Sequence, residues 1–193
     1  MPTSNFTDQN HNNVSKEESF FTPAQIVQIV KVLRVNYTHL LWFKLLYTFG
    51  MNLRDLIQLR VGDIDFENSK INLRGTERVL YRTSDIPFSI LCDLRIFCNQ
   101  KNAHELVFVG RHGKLHTRTV QKAFEKIEIK LGLKFTIPKL RRSIAVHLQQ
   151  NGWSQKDIGD FLGHLNHRST KNLFNQINNR PKGDLVSIEH LLK

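Results

Sequence analysis

The sequence predicts a mainly helical α+β domain that carries a small antiparallel β-sheet. Apolar residues at helical spacing dominate residues 22–175, and one strand-turn-strand pattern interrupts them near Gly75. The chain has 193 residues, 40% of them hydrophobic, which is enough for one sizeable core. We therefore expect a disordered polar tail over residues 1–20 and a single domain over residues 21–193, in which residues 176–193 form a C-terminal tail.

The first helices are predicted from their caps and their apolar faces. Thr22 is a good N-cap, and Pro23 stands at the first helical position. Residues 39–49 are apolar all round, which indicates a helix buried at the centre of the domain. Gly50 ends this helix, and residues 52–59 predict another short one.

A β-hairpin is predicted in the middle of the chain. Its turn lies at Gly75 and Thr76, and its second strand lies around residues 78–82. The chain then enters a helix at Pro87, and residues 105–110 predict a further strand.

Three more helices are predicted beyond this strand. The first is capped by Thr117, and the others lie near residues 140–150 and 155–162. The last of them has the capping-box signature Ser154-x-x-Asp157.

The charge balance points to a polyanionic partner. There are 28 Lys and Arg residues against 17 Asp and Glu, a net charge of +11 and an isoelectric point near 9.9. Nucleic acid is the first candidate and an acidic membrane surface the second, while a merely soluble basic protein is the alternative. The most apolar run, residues 40–49, is too short to span a membrane and carries Lys44. Cys92 and Cys98 are expected as buried core thiols in a reducing, cytoplasmic compartment, and we expect no metal and no cofactor.

Several motifs follow one another along residues 22–175 in a recognisable order. They are G-x-x-x-x-D-L-x-x-L-x-x-x-D-I-D from Gly50, the hairpin, V-F from Val107, L-R-R-S-x-A-x-x-L from Leu140, and L-G-H ending at His164. This order resembles the catalytic domain of the tyrosine recombinase, or phage integrase, family. The resemblance implies a helical catalytic-domain fold with a small antiparallel sheet, and double-stranded DNA as the partner.

The family's chemistry sets out which side chains its site requires. These enzymes attack a DNA phosphodiester with a tyrosine oxygen, and the pentacoordinate phosphate gathers negative charge that preplaced donors stabilise. The resemblance implies two arginines, a lysine on the hairpin turn and two histidines or similar residues. Arginine suits this task because its planar fork grips two phosphate oxygens at once.

Three of these positions depart from the family pattern. Asn52 stands where the first arginine belongs. The hairpin has no lysine, and its arginines are too basic to protonate a leaving oxygen near neutral pH. Pro138 stands three residues before the second arginine, where a histidine is usual, and Lys139 is the stand-in if one residue has been deleted.

Two donors are retained, and the nucleophile is missing. Arg141 takes the second arginine position, Arg142 adds a cation beside it, and His164 is the best-preserved match. Counting nine residues beyond the histidine gives Leu173, and a one-residue slip gives Phe174. The three tyrosines of the chain, Tyr37, Tyr47 and Tyr81, lie far upstream. The hydroxyls nearest to the expected position belong to Ser169 and Thr170, and neither has an evident base in the sequence.

We therefore interpret the chain as a recombinase-derived DNA-binding protein without strand-cleaving activity. It is expected to be a transcriptional or architectural regulator, or an accessory factor of a mobile element, associated with a bacterial nucleoid. The helix beginning near Thr117 is expected to reach base edges. Phosphate contacts are expected from a set of basic residues: Arg74, Arg78, Arg82, Lys114, Arg118, Arg141, Arg142, His164 and Arg168.

Other interpretations remain open. One is an active recombinase whose nucleophile is noncanonical or supplied in trans, and another is a protein–protein adaptor with a basic face. Residues 187–192 are expected either to pack on another copy of the chain, forming a homo-oligomer, or to fold back on their own domain.

Overall fold

The computed structural model describes residues 19–74 and 81–175. Its helices within those ranges are α1 (Pro23–Leu33), α2 (Tyr37–Thr48), α3 (Leu53–Gln58), α4 (Phe88–Cys98), α5 (Thr117–Leu131), α6 (Ile137–Gln150), α7 (Gln155–Phe161) and α8 (His167–Asn175), with a 3₁₀ turn at Val61–Asp63. The strands within the same ranges are β1 (Ile64–Asp65), β2 (Lys70–Leu73), β3 (Arg82–Asp85), β4 (Val109–Gly110) and β5 (Gly113–Lys114). This is the predicted mainly helical α+β fold.

Helix α2 is the central element of the core. It packs against α1, α3, α4, α5 and α6, and its residues from Leu40 to Tyr47 are all buried. The one charged side chain in that run, Lys44, forms a 2.7 Å ion pair with Asp93 of α4. Helix α1 begins as predicted, with Thr22 in a capping box. No helix in residues 19–74 and 81–175 has the length and hydropathy needed to cross a bilayer.

The first sheet has the order β1-β2-β3 and is antiparallel throughout. Its third strand begins where the predicted second hairpin strand was expected to end, because pairing with β2 runs from Leu73 opposite Arg82 to Lys70 opposite Asp85. The predicted turn and residues 78–80 lie outside the described part of the chain. The limits of β3 are thus determined by its register with β2, which the sequence alone does not reveal.

The prediction of a strand over residues 105–110 was wrong for most of its length. Only Val109 and Gly110 form β4, which pairs with β5. Val107 and Phe108 are buried in the core, and Leu106 makes an isolated bridge to Arg60. Apolar residues here anchor a loop rather than extend a sheet.

Two further predictions need correction. Thr117 does not cap α5: the N-cap is His116, which has extended backbone and makes no side-chain capping bond, so Thr117 is already the first helical residue. Both cysteines lie on α4 as free thiols, but Cys92 is only half-buried, whereas Cys98 is buried. Cys92 falls outside the apolar face of α4, which consists of Ile90, Leu91, Leu94 and Cys98.

The last three helices bring the C-terminal motifs together. Helices α6 and α7 lie close to their predicted positions, and Ser154 accepts a hydrogen bond from the Asp157 amide as a cap. Helix α8 was not predicted. It packs against α7 at Gly159, where an added Cβ would lie 2.6 Å from Oγ1 of Thr170.

Candidate phosphate site

The carbonyl group of Gly50 is the fixed point of the site. Gly50 follows α2 with a φ of +56°, a left-handed conformation that favours glycine. An added Cβ would lie 2.8 Å from Cδ2 of Leu162, so the position also has no room for a side chain. The Gly50 oxygen accepts hydrogen bonds from two arginines, Arg82 of β3 and Arg141 of α6.

Arg141 is held by the backbone on two sides. Its Nη1 donates to the Gly50 carbonyl, and its Nη2 donates to the Leu162 carbonyl at 2.9 Å. The same Nη2 lies 3.4 Å from Nε2 of His164. Burial and then the positive charge of Arg82 lower the pKa of Arg141 to about 10. Arg141 therefore remains a cation at neutral pH, and these contacts fix its direction.

His164 lies between Arg141 and α8. Its Nδ1 is 2.9 Å from Oγ1 of Thr170, which is itself only 2% exposed. Burial, followed by the charges of Arg141 and Arg82, lowers the pKa of His164 to about 4. The imidazole is thus neutral at pH 7 in the free protein. The fold thus brings an imidazole nitrogen within hydrogen-bonding distance of the Thr170 hydroxyl, a neighbour that the sequence did not reveal.

Arg82 points into the site rather than outward from a solvated hairpin. Its Nη2 lies 3.2 Å from the Phe49 carbonyl oxygen and 3.4 Å from that of Gly50. Its Nε and Nη1 are buried and have no hydrogen-bond partner among the described residues. Burial lowers the pKa of Arg82, and the negative charge of Asp55 partly opposes this. Within the described ranges, neither Arg82 nor Arg141 forms an ion pair with a carboxylate.

The position of the family's first arginine is used as a helix cap. Asn52 accepts a hydrogen bond from the Asp55 amide at 2.9 Å through Oδ1, and the Asp55 carboxylate accepts one from the Asn52 amide at 3.2 Å. This reciprocal pair starts α3. Burial raises the pKa of Asp55, while Arg82 and Arg141 act in the opposite direction. Asp55 is therefore the nearby acidic group of the site.

Three other predicted site residues have structural contacts. Pro138 lies in the first turn of α6, and Lys139 is only 7% exposed, with its Nζ 4.7 Å from the centroid of the Phe21 ring. Arg142 donates from Nε to the Ser19 carbonyl at 2.7 Å. Lys139 and Arg142 thus both contact the segment before α1.

Two apolar side chains occupy the positions predicted for the nucleophile. Phe174 is 1% exposed and belongs to the core, and Leu173 packs against the same core from a half-buried position. Their burial explains why this stretch forms a helix although most of α8 is polar. Neither residue has an oxygen in its side chain.

The tyrosines have other surroundings. Tyr47 is fully buried in α2 with its hydroxyl 2.6 Å from Nδ1 of His147, and burial raises its pKa. The Tyr37 hydroxyl donates to Asp93, and burial followed by that carboxylate raises its pKa to about 12. Tyr81 is 64% exposed just before β3.

The remaining predicted DNA contacts lie on the surface. Lys114, Thr117, Arg118 and Arg168 are exposed, and Arg74 forms a 2.6 Å ion pair with Asp63 while staying largely exposed. Arg78 lies outside the described part of the chain. Two open grooves among the described residues contain five exposed cations. They are lined by His116, Thr117, Arg118, Thr119 and Lys122, and by Gln155, Lys156, Arg168, Thr170 and Lys171.

Comparison with known proteins agrees with this arrangement. The tyrosine recombinase XerA of Thermococcus onnurineus is 30% identical over 156 residues, which cover 78% of this chain and 52% of that protein. The chain thus spans about half the length of the relatives it matches. A crystal structure of XerA recombinase has a TM-score of 0.68 at 18% identity, covering 86% of this chain and 67% of that chain.

A second solved structure is similar in the same region. A Tn1549 transposon integrase in complex with a circular intermediate DNA has a TM-score of 0.67 at 17% identity, covering 83% of this chain and 63% of that chain. The sequence model of the phage integrase family matches residues 19–180. With the fold, the order of its motifs and these likenesses in agreement, the chain belongs to the phage integrase family.

Proposed function

We propose that this domain binds duplex DNA through a backbone phosphate held by Arg141 and His164, and that it does not cleave the strand. One observation carries the proposal: Arg141, which donates to the Gly50 carbonyl, lies 3.4 Å from Nε2 of His164, while Leu173 and Phe174 of α8 pack into the core. A phosphate site is preserved where the positions of the nucleophile hold hydrocarbon side chains.

The size of each effect supports binding over cleavage. Removing one donor that stabilises developing charge typically costs about 10²–10³ in rate, which still leaves a slow enzyme. Replacing the attacking oxygen is a different kind of change, because no covalent intermediate forms without it. The chain combines Asn52 at a donor position with apolar residues where the oxygen is expected.

The surrounding surface supports duplex DNA as the ligand. Exposed cations lie on β5, α5 and α8, and the net charge of the chain is +11. Similar solved structures include recombinases bound to DNA, such as the Tn1549 integrase and XerH with its difH substrate. A regulator, an architectural protein or an accessory factor of a mobile element is the role we propose for such a domain.

The test combines binding with covalent trapping. Wild-type protein is expected to retard a mixed-sequence duplex at low salt, with affinity falling steeply as salt rises. Arg141→Gln is expected to weaken binding, whereas Lys31→Gln, which removes one charge from an exposed position on α1, is a matched control. A nicked suicide substrate is expected to yield no covalent adduct. Lack of duplex binding at low salt, or a trapped adduct in good yield, would overturn the proposal.

A second candidate function rests on the hydrogen bond between His164 and Thr170. In this alternative, Oγ1 of Thr170 attacks phosphorus and its proton passes to Nδ1 of His164. Nδ1 can accept it only in the tautomer with the ring proton on Nε2, so the step requires that Nε2 no longer accepts from Arg141. The P–O5′ bond breaks, and the leaving oxygen takes a proton from water. The 2% exposure of Thr170 opposes it, since DNA must reach a buried hydroxyl. An adduct that maps to Thr170 and disappears in Thr170→Val would establish this activity.

A further inference from the structure

Arg82 and Arg141 approach the same carbonyl group from distant parts of the chain. Arg141 comes from α6 and Arg82 from β3, yet both donate to the oxygen of Gly50. Their guanidinium groups are therefore close neighbours, although each residue as a whole is only half-buried. Two cations that share one acceptor repel each other, so the arrangement favours an added anion.

Arg82 also has unused hydrogen-bonding capacity. Its Nε and Nη1 are buried and have no partner within residues 19–74 and 81–175. Its third nitrogen, Nη2, makes only the two long contacts to the carbonyls of Phe49 and Gly50. Asp55 is near enough to affect the pKa of Arg82 but forms no ion pair with it. A phosphate oxygen is the kind of acceptor that these N–H groups lack.

Asn52 explains why a second arginine must come from elsewhere. The family pattern has its first arginine at this position, two residues after Gly50, but here Asn52 caps α3. We infer that Arg82 is the second arginine of the pocket, that it is supplied by β3, and that it binds the same phosphate as Arg141. The inference deepens the proposed function and rests on it.

A purely structural role for Arg82 predicts different behaviour. If Arg82 only attaches β3 to the end of α2 through the Phe49 and Gly50 carbonyls, its removal lowers the thermal stability of the free protein. If it awaits an anion, removing a cation with unsatisfied buried donors leaves that stability unchanged or raises it. The sign of the change in free-protein Tm therefore separates the two roles.

The experiment compares Arg82→Gln with Lys31→Gln, a variant that removes one charge from an exposed position on α1. Thermal melting is measured with and without inorganic phosphate, and affinity for a mixed-sequence duplex is measured over a range of salt concentrations. Arg82→Gln is expected to keep or raise the Tm of the free protein and to lose the Tm increase caused by phosphate. Its duplex affinity is expected to fall by about tenfold or more.

The salt dependence supplies the second readout. One lost phosphate contact reduces the slope of log affinity against log salt by about 0.9. We expect this reduction in Arg82→Gln and not in Lys31→Gln. Arg82→Lys, which keeps the charge without the planar fork, is expected to retain most of the slope with weaker binding.

Failure of the inference differs from failure of the proposed function. A lower free-protein Tm in Arg82→Gln, with an unchanged phosphate response and salt slope, overturns the role of Arg82 while duplex binding by the wild type stands. Absence of wild-type duplex binding, with a phosphate response that depends on Arg82, overturns the proposed function and supports the anion pocket.

Discussion

The protonation state of His164 is expected to depend on whether the pocket contains a phosphate. In the free protein its pKa is about 4, because of burial and the two arginines. A bound phosphate adds negative charge and raises that pKa. If the domain binds DNA as proposed, binding takes up a proton, and we expect duplex affinity to rise as pH falls from neutral toward 4.

Thr170 is expected to control the size of this rise. The imidazolium donates from both nitrogens, and Oγ1 of Thr170 is the acceptor 2.9 Å from Nδ1. Thr170→Val removes that acceptor, so the increase in affinity at low pH should shrink, while Thr170→Ser should keep it. Duplex titrations at several pH values provide the measurement, and equal increases in the two variants would contradict the prediction.

Gly50 is expected to be intolerant of any side chain for two separable reasons. Both Gly50 and Gly132 have positive φ, but only at Gly50 would a Cβ meet neighbouring atoms. Gly132→Ala is expected to lower the free energy of unfolding by about 1 kcal/mol through backbone strain alone. Gly50→Ala should lower it by about 1–3 kcal/mol more, because of overpacking against Leu162. Chemical denaturation measures both, and equal losses would exclude the steric contribution.

The sequence locates single residues where a motif fixes their position and misses contacts that only the fold creates. Arg141 and His164 follow from L-R-R-S and L-G-H, and the structure places them in contact. Arg82 was recognised only as a basic hairpin residue, because whether a strand residue points inward depends on register. The pairing of Thr170 with His164 depends on the packing of α8, which no local pattern indicated.

The contact between helices α7 and α8 is expected to depend on the absence of a side chain at Gly159. A Cβ there would lie 2.6 Å from Oγ1 of Thr170, so Gly159→Ala forces α8 away from α7. We expect a loss of about 1–3 kcal/mol in the free energy of unfolding. Thr170→Ala in the same chain frees the space, and the double variant should lose less than the sum of the single changes. Additive losses in the double-mutant cycle would show that the two positions do not compete for space.

The start and end residues of the helices were easier to predict from the sequence than those of the strands. Helices α1 and α7 begin at side chains that cap their first turns, and α2 follows from an uninterrupted apolar run. The limits of β3 and β4 depend on pairing across the sheet, so the predicted end of the hairpin strand at residue 82 and the predicted start of the next strand at residue 105 were wrong. Helix α8 has few apolar residues, and its packing against α7 and the core sets its position.

The whole domain is expected to become less stable in mild acid. Burial lowers the pKa of His147 to about 4, and His164 has a similar value. The pKa of each histidine is lower in the folded protein than the unfolded value of 6.5. Above pH 6.5 both states are neutral, so the histidines do not lower the free energy of unfolding. As pH decreases from 6.5 toward 4, the unfolded state binds protons first and the free energy of unfolding falls. His147 alone is expected to account for on the order of 3 kcal/mol over that range.

The variant His147→Gln tests this origin. Glutamine keeps a polar partner for the Tyr47 hydroxyl but does not titrate. We expect the free energy of unfolding of this variant to depend less on pH between 6.5 and 4 than that of the wild type. Urea denaturation at each pH gives the comparison, and parallel curves for the two proteins would assign the acid sensitivity to other groups.

The capping box at Asn52 affects the order in which this site can change during evolution or engineering. Asn52→Arg removes a helix cap, worth about 1 kcal/mol, and brings a third guanidinium toward Arg82 and Arg141. The same change after Arg82→Gln adds no third cation. The two positions are thus expected to be epistatic: Asn52→Arg, which restores the family's pattern, should be tolerated better after Arg82→Gln than before it. The presence of Arg82 would in this way make the replacement of arginine by Asn52 difficult to reverse.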